Sequence, residues 1–279
     1  MKILVTGSTG MIGNQLVTAL LDKGYEVVGV DRRRGNDERA LNFEIDLLDI
    51  EAVKNIIEEN KVDRIIHLAA LAHSSNGEKF SYDDYYKSNV ICAKNIFEVA
   101  RSIPVLHIST IDVFGFTEGI VSVETPINPI THYGKTKALA EVACREICTM
   151  FSIFRLSPVY TSTIKRDIQK RYYLKYPNIA YTIGKGRKFE VLDVNRAVMK
   201  MVEWCAEKPD NRIHIIKDKE LLDARECIIK EQKNGRAKYV LCFPEFIVQS
   251  GFKILKMIFG ENKYTYLLNK AVNPLRTKP

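Results

Sequence analysis

Short apolar runs of strand length recur along the first 160 residues, and stretches with a helical period of about 3.6 residues separate them. The runs are centred near Ile3, Val28, Phe43, Ile66, Leu106 and Ile153. Runs that are apolar throughout are typical of strands covered on both faces. Their alternation with helices predicts an α/β fold with a doubly wound parallel sheet.

Beyond Tyr160 the strand and helix signals become shorter, and the chain returns to the helical pattern over LDVNRAVMKMVEWC. This change divides the sequence into a main domain and a smaller C-terminal lobe. We expect the main domain to comprise 1–160, with 190–208 returning to it. The smaller lobe then comprises 161–189 and 209–279.

The last strongly apolar segment, PEFIVQSGFKILKMIFG, allows two interpretations. Its large side chains from Phe246 to Ile258, with Lys253 and Lys256, could form an amphipathic helix lying on a membrane. Packing against the smaller lobe is the simpler interpretation because the basic face of such a helix is thin.

The chain opens with KILVTGSTGMIG, an apolar strand followed by Gly7, Gly10 and Gly13 and by a helix over 11–21. Glycines at this spacing let the chain turn tightly, let backbone N–H groups approach a pyrophosphate, and let the helix pack close to the sheet. The next strand, EVVGVD, ends in Asp31, whose carboxylate can accept hydrogen bonds from ribose hydroxyls. Together these features predict a Rossmann-type dinucleotide site at the carboxyl ends of the strands.

Tyr133 and Lys137 share one face of a predicted helix in THYGKTK, and Thr110 ends the apolar strand VLHIST. A phenol ionises at about pH 10 in water, so a base at neutral pH needs a cation beside it, which a lysine one helical turn away supplies. We therefore expect Tyr133 to be the catalytic acid/base, Lys137 to tune it and Thr110 to hold the substrate oxygen. The alternative is a packed tyrosine and a solvated lysine.

Many spaced motifs follow one another between residue 1 and about residue 202. They are TGSTGMIG, the strand end Asp31, Asp46 in EIDLLD, HLAALAH, KSNVICAKNIF with Asn89, ISTIDVFG, ETPINPITHYGKTKALAE, FRLSPVY and LDVNRAV. In these motifs the chain resembles the extended short-chain dehydrogenase/reductases, the NAD-dependent epimerases and dehydratases that act largely on nucleotide sugars. The resemblance implies a Rossmann-type domain with a small C-terminal substrate lobe, and a nucleotide-diphosphate sugar or related small molecule as substrate. It also implies a homodimer formed through helices 82–102 and 131–150.

The same resemblance implies which residues bind the cofactor. They are Gly7, Thr9, Gly10, Met11, Ile12, Gly13, Asp31, Arg32, Asp46, Leu47, Leu68, Ala69, Ala70, Asn89 and Ser157, together with Tyr133 and Lys137. Asp31 would repel a 2′-phosphate, which favours NAD. Arg32, Arg33 and Arg34 could hold that phosphate, so NADP stays possible.

Substitutions rank the reactions of this family. The dehydratases that this chain resembles carry an Asp-Glu pair directly after the strand-end threonine, where this chain has Ile111 and Asp112. Ile111 cannot exchange a proton, so a dehydratase is disfavoured. The family's decarboxylases have a glutamate at the Asp112 position, so a decarboxylase is disfavoured too. A 4-epimerase or a ketoreductase needs only the Thr/Tyr/Lys set and the nicotinamide, and we place the epimerase first. Pro158 stands where many family epimerases have a substrate-binding asparagine, which keeps the ketoreductase open. A non-catalytic dinucleotide sensor is disfavoured because the tyrosine and lysine are both present.

Composition agrees with one catalytic unit, since 279 residues that are 46% hydrophobic can bury a large core. The net charge of +8 is dispersed among acidic residues, which indicates a solvated basic surface rather than a nucleic-acid site. The densest basic stretch supplies candidate phosphate contacts at Arg166, Lys170, Arg171, Lys185, Arg187 and Lys188.

The sequence also bears on the cellular location of the protein and on metal binding. No apolar run is long enough to span a bilayer and the N-terminus enters the first strand directly, so we expect a cytoplasmic protein without an integral membrane segment. The six cysteines lack CxxC pairs, and the pair Cys144 and Cys148 indicates packing rather than a disulfide. His67 is expected in the sheet core and His73 in the substrate cleft. Neither has a second ligand at metal spacing, so no metal is expected.

Overall fold

The computed structural model describes residues 1–72, 80–117, 119–161, 166–176 and 178–278. Its strands are β1 (Lys2–Thr6), β2 (Glu26–Asp31), β3 (Leu41–Glu44), β4 (Arg64–His67), β5 (Val105–Thr110), β6 (Ile120–Val121), β7 (Phe151–Leu156), β8 (Val159–Tyr160), β9 (Tyr173–Lys175), β10 (Ile179–Ile183), β11 (Lys188–Phe189), β12 (Leu192–Asp193), β13 (Ile213–Ile216), β14 (Leu222–Asp223), β15 (Tyr239–Phe243) and β16 (Arg276–Thr277). Its α-helices are α1 (Met11–Asp22), α2 (Ile50–Glu59), α3 (Tyr82–Tyr86), α4 (Cys92–Val99), α5 (His132–Ile147), α6 (Arg166–Gln169), α7 (Val194–Ala206), α8 (Ala224–Lys233), α9 (Glu245–Phe259) and α10 (Lys263–Val272). A π turn over Lys87–Ile91 joins α3 to α4, and a 3₁₀ turn covers Ile111–Phe114.

The central sheet has seven strands in the order β13-β7-β5-β4-β1-β2-β3. The pairings from β7 through β3 are all parallel, with β1 between β4 and β2. This confirms the doubly wound sheet expected from the sequence, and its six predicted strands are all present. The seventh strand, β13, lies at the edge beside β7 and was not predicted.

Packing of the sheet follows from the apolar runs. Ile3, Leu4 and Val5 of β1 are at most 1% exposed, as expected for a strand covered on both faces. Helices α1 and α7 pack together, while α2, α4 and α5 form a second packed group. Helix α2 shows the local cause, because Asp49 caps its Ala52 N–H at 3.0 Å and its buried residues recur at helical spacing.

The chain divides into two compact units. The first comprises 1–113, 131–156 and 194–214 and carries the cleft described below. The second comprises 114–130, 157–193 and 215–279. The boundaries expected from the sequence had assigned 114–130 to the main domain.

The second unit contains the small sheets β15-β10-β9, β11-β14, β12-β8 and β16-β6. Tyr172, Phe189 and Ile228 belong to one of its buried clusters. Another consists of Ile183, Phe252 and Val272, which anchors the inner sides of α9 and α10. Short elements therefore pack around several small apolar clusters here, in contrast to the extended sheet core of the first unit.

Across the described ranges, no helix has the length and hydrophobicity needed to cross a bilayer. None of the six cysteines, all of which lie in the described ranges, forms a disulfide, and Cys144 and Cys148 are both buried.

Candidate active site

The glycine loop between β1 and α1 brings the helix close to the sheet. Gly7 has a φ of +70°, which favours glycine, and its N–H donates to the Val30 carbonyl at 2.8 Å. The Gly10 N–H then donates back to the Gly7 carbonyl at 3.0 Å. A Cβ on Gly13 would lie 2.1 Å from that same carbonyl oxygen. The third glycine is therefore required by the close approach of α1 to the loop.

An open cleft of about 620 Å³ lies where β1, β2 and β4 end. The predicted residues that line it are Gly7, Gly10, Asp31, Arg32, Asp46, Leu47, Leu68, Ala69 and Ala70. Further lining comes from Val30, Arg33, Ile45, Leu48, Leu71, Phe80, Asp84, Lys87, Ser88 and Cys92, which were not singled out for this role, except that Arg33 was named as a possible phosphate contact. Independent motifs thus meet at the carboxyl edge of one sheet, as the parallel topology requires.

Asp31 fixes the glycine loop as well as facing the cleft. Its Oδ2 accepts a hydrogen bond from the Thr9 N–H at 3.2 Å, while the Arg33 guanidinium donates to the Thr9 hydroxyl at 3.3 Å. Farther along, the Asp46 carboxylate accepts from the Leu48 N–H at 3.0 Å. Backbone N–H groups beside glycines, two carboxylates and small apolar residues form a set that fits a dinucleotide.

Helix α5 places the proposed acid/base and its lysine. Thr131 caps the helix by accepting from the Gly134 N–H at 2.9 Å, which sets Tyr133 in the first turn. Tyr133 is half-buried, and Lys137, one turn later, is 1% exposed. Burial lowers the pKa of Lys137 to about 8, although the nearby Glu141 carboxylate acts in the opposite direction. Its ammonium group therefore stays charged at neutral pH.

Strand β5 and helix α5 are joined by a buried polar cluster. The Ser109 hydroxyl donates to Glu141 Oε1 at 2.5 Å, and Arg155 of β7 donates to both Glu141 oxygens at 2.7–3.3 Å. The Arg155 and Glu141 side chains are 4% and 2% exposed. Since Ser109 precedes Thr110 and Glu141 follows Lys137 by one turn, this cluster sets the register between the strand end and the helix. Thr110 is half-buried, and its Oγ1 accepts from the Asp112 N–H at 3.2 Å.

Two stacked histidines lie within the sheet, close enough to Lys137 for its charge to affect them. The rings of His67 and His107 are 5.5 Å apart with an interplanar angle of 20°, and Phe97 packs edge-on against both. The His67 Nδ1 shares a hydrogen bond of 2.8 Å with the Thr6 hydroxyl. Burial, and secondarily the Lys137 charge, lowers the pKa of His67 to about 3 and that of His107 well below its ordinary value. Both histidines are therefore neutral.

Asn89 lies in the π turn between α3 and α4 and is 1% exposed. Its Oδ1 accepts from the Leu71 N–H at 2.7 Å, and its amide donates to the Leu71 carbonyl at 3.1 Å and to the Thr136 hydroxyl at 3.0 Å. Asn89 therefore connects the end of β4 to α5 and holds the loop that lines the cleft. A π turn inside a helix often marks a functional site, but the sequence signal predicted only one continuous helix here.

Other predicted positions lie outside the cleft lining. Met11, Ile12 and Gly13 form the first turn of α1. Ser157 belongs to the second unit, where its side chain is buried. His73 falls outside the described residues.

Arg187 and Arg171 are two of the basic candidates of the second unit. Arg187 donates to Glu245 at 3.0 Å, and Arg171 lies 5.0 Å from the centre of the Phe189 ring. The side chain of Arg166 lies outside the described part of the chain.

The model of the NAD dependent epimerase/dehydratase family matches residues 3–213. The chain belongs to this family. Its match covers the glycine loop, the cleft and the Thr110, Tyr133 and Lys137 positions, and leaves 214–279 outside.

Known relatives agree with this assignment. The chain is 32% identical over 166 residues to UDP-glucose 4-epimerase of Bacillus subtilis, covering 53% of this chain and 48% of the relative. It is 31% identical over 163 residues to a probable low-salt glycan biosynthesis reductase of Haloferax volcanii, covering 57% and 54%. The chain thus spans about half the length of the relatives it matches.

Among solved structures, the crystal structure of UDP-glucuronic acid 4-epimerase from Bacillus cereus in complex with NAD superposes with a TM-score of 0.70. The identity is 23%, and the match covers 88% of this chain and 89% of that one. This likeness shows the shared fold.

Proposed function

We propose that this protein is an NAD-dependent nucleotide-sugar 4-epimerase that uses Thr110, Tyr133 and Lys137. The observation that supports this most directly is the buried, charged Lys137 one helical turn from Tyr133, on a helix bonded to the strand that ends in Thr110. A structural lysine is rarely buried without a carboxylate bonded to its ammonium group. Among the described residues, no hydrogen bond joins Lys137 Nζ to a carboxylate, so its burial calls for a functional reason.

Each of these side chains has a distinct role in the proposed reaction. A cation beside a phenol favours the ionised form, so Lys137 equips Tyr133 to take the proton of the sugar hydroxyl and to return it to the same oxygen. Thr110 holds the reacting oxygen at the end of β5. Glu141 keeps Lys137 protonated by raising its pKa against the effect of burial.

NAD is the cofactor that suits the cleft, with its pyrophosphate at the glycine loop and the adenosine ribose at Asp31. When bound, NAD would supply an acceptor for a hydride from the sugar carbon and a donor of that hydride to the opposite face of the same carbon. Replacing Asp31 with serine is expected to lower the preference for NADH over NADPH by about tenfold or more, because it removes the charge that repels a 2′-phosphate. Fluorescence titration with NADH and with NADPH measures this preference. An unchanged preference would show that residues other than Asp31 discriminate between the two cofactors.

A nucleotide-diphosphate sugar is proposed as the substrate, with a uridine nucleotide as the first choice. The Bacillus subtilis relative is named as a UDP-glucose 4-epimerase, and the Bacillus cereus structure is of a UDP-glucuronic acid 4-epimerase. Interconversion of UDP-glucose and UDP-galactose, followed by chromatography, is therefore the first assay.

Replacing Tyr133 with phenylalanine tests the acid/base. We expect turnover to fall by about two to four orders of magnitude, since positioned proton transfer contributes that much, while NAD binding is retained. The matched control is Tyr239→Phe, because Tyr239 is 65% exposed on β15. A fully active Tyr133→Phe protein would rule out this acid/base.

A ketoreductase is the second candidate. Pro158 at the position of a family substrate-binding asparagine favours it, as does the reductase name of the Haloferax volcanii relative. Denaturing the purified protein and identifying any released nicotinamide nucleotide separates the two. Near-stoichiometric NAD indicates an epimerase, which keeps its cofactor, whereas an empty protein that consumes added NADPH or NADH indicates a reductase.

A homodimer through α4 and α5 belongs to the same proposal. These helices pack against each other within the first unit, and Leu139 of α5 remains 42% exposed. Light scattering after size exclusion should then give twice the chain mass, and Leu139→Glu should shift it to the monomer.

A further inference from the structure

Helix α9 turns an apolar face to solvent. The outward side chains are Phe246 (72% exposed), Ile247 (54%), Ile254 (52%), Met257 (80%) and Ile258 (63%). Their spacing places them on one stripe of the helix, which also contains Ser250. The opposite side is anchored by Phe252, which is 7% exposed and packs with Ile183 and Val272. The helix is thus held by one side while its other side is left apolar and uncovered.

Helix α10 repeats this arrangement next to α9, with which it packs. Tyr264 is 77% exposed, Leu267 50% and Leu268 46%, whereas Tyr266 and Val272 on the inner side are buried. We name the outward side chains of both helices the α9–α10 surface. It consists of Phe246, Ile247, Ile254, Met257, Ile258, Tyr264, Leu267 and Leu268. Contiguous apolar surfaces of this kind are rare on soluble monomers and mark interaction sites.

The charges around this surface are predominantly positive. From 244 to 279 the chain has five lysines, one arginine and two glutamates. Both glutamates are paired, Glu245 with Arg187 at 3.0 Å and Glu261 with Lys256 at 2.8 Å. Lys253 and Lys263 are exposed, and in the described ranges neither forms an ion pair. Positive charge without an ion-pair partner therefore borders the apolar side chains, while both glutamates of this segment are already paired.

We propose that the α9–α10 surface docks on the surface of an anionic lipid bilayer. A helix that lies in the interface inserts an apolar face below the headgroups and keeps lysines at their level, which is the arrangement seen here. Anionic headgroups supply the negative charge that Lys253 and Lys263 lack. The apolar centre of a protein–protein interface also needs a complementary apolar face, whereas a bilayer needs only this one. The catalytic unit would then work next to the membrane while the helices lie flat on it.

Vesicle sedimentation of the full chain tests this. The vesicles are phosphatidylcholine alone and phosphatidylcholine mixed with phosphatidylglycerol, each at low and high salt. We expect binding to the anionic vesicles that weakens with salt, because headgroup attraction is screened. The test variant is the triple change Phe246→Gln, Ile254→Gln and Met257→Gln. It should lower the partition coefficient by about tenfold or more, since three inserted side chains are lost.

A control protein carries Met199→Gln and Ile229→Gln, which alter helical side chains that are 45% and 44% exposed on α7 and α8. It should bind vesicles like the unmodified chain. Circular dichroism and NAD binding should be unchanged in both variants, which shows that they fold. The proposal fails if the unmodified chain does not bind anionic vesicles, or if the triple variant binds them as strongly as the unmodified chain does. A different result would point to a second copy of the chain as the partner of this surface. In that case neither the unmodified chain nor the triple variant binds lipid, and the two differ in their molecular mass in solution.

Discussion

Replacing Glu141 with glutamine is expected to destabilise the protein by about 3–5 kcal/mol, the typical cost of breaking a buried ion pair from one side. The carboxylate accepts hydrogen bonds from Arg155 at 2.7–3.3 Å and from Ser109 at 2.5 Å. Glutamine is almost the same size, so no cavity forms. The loss arises because the Arg155 charge stays buried, at 4% exposure, while the negative charge of Glu141 is removed.

The same change should also alter catalysis. Glu141 raises the pKa of Lys137, which burial has lowered to about 8. Without the carboxylate the Lys137 pKa falls further, so the ammonium group loses its proton at a lower pH. The high-pH limb of the turnover profile should therefore move toward neutral pH.

Urea unfolding followed by circular dichroism measures the stability, and a thermal scan should show a midpoint lower by roughly 6–20 °C. Glu203→Gln is the matched control. Its ion pair with Lys200 is equally short, at 2.6 Å, but the two side chains are 48% and 45% exposed, so its loss should cost less than about 1 kcal/mol. The double change Glu141→Leu with Arg155→Met should restore much of the stability, because neither charge of the Glu141–Arg155 pair is then buried. A Glu141→Gln protein as stable as Glu203→Gln would refute the reasoning.

Three further changes test other parts of the first unit. Gly13→Ala should abolish NAD binding and lower the urea midpoint, because its Cβ would lie 2.1 Å from the Gly7 carbonyl oxygen. The control is Gly251→Ala in α9, which has open space around its Cβ and should stabilise the protein by about 0.5–1 kcal/mol. Asn89→Ala should cost about 2–4 kcal/mol, since it leaves part-buried backbone groups of Leu71 unpaired, and a cost below 1 kcal/mol, measured in urea, would contradict that role. Lys137→Met should abolish turnover yet stabilise the fold by about 3 kcal/mol at neutral pH, because a pKa lowered from 10.5 to about 8 means that burial of the charge is costly. This advantage should shrink as pH rises from about 8 to 10.5, where the folded lysine is already neutral; a pH-independent difference would show that the charge is not its cause.

The sheet could be predicted from the sequence because its strands are apolar throughout, so their signal does not depend on what packs on them. The edge strand β13 was not predicted because its sequence IHII is short and only partly buried, and because it follows a polar stretch. The glycine loop was readable for a similar reason, since backbone geometry admits only glycine at Gly7 and Gly13.

The contacts that organise the site were harder to predict because they join distant parts of the chain. Arg155 lies in an apolar strand, but nothing in the local sequence indicates that Glu141 is its partner. The π turn at Asn89 adds one residue to a helix without disturbing its apolar periodicity enough to be noticed. For α9, the sequence favoured packing, and its Phe252 side does pack, but periodicity alone could not show that the other side stays uncovered.

The stacked pair His67 and His107 makes the nucleotide-binding unit sensitive to acid. Both imidazoles are neutral in the fold, His67 with a pKa of about 3, whereas in the unfolded chain each takes up a proton as the pH falls through 6.5. Unfolding therefore binds about two extra protons below that pH, and stability decreases by about 1.4 kcal/mol per pH unit for each histidine. At about pH 5 the pair alone would remove about 4 kcal/mol, a large part of the margin of a typical domain. A pair of neutral rings that have no role in the proposed reaction thus lowers the stability of the fold in acid.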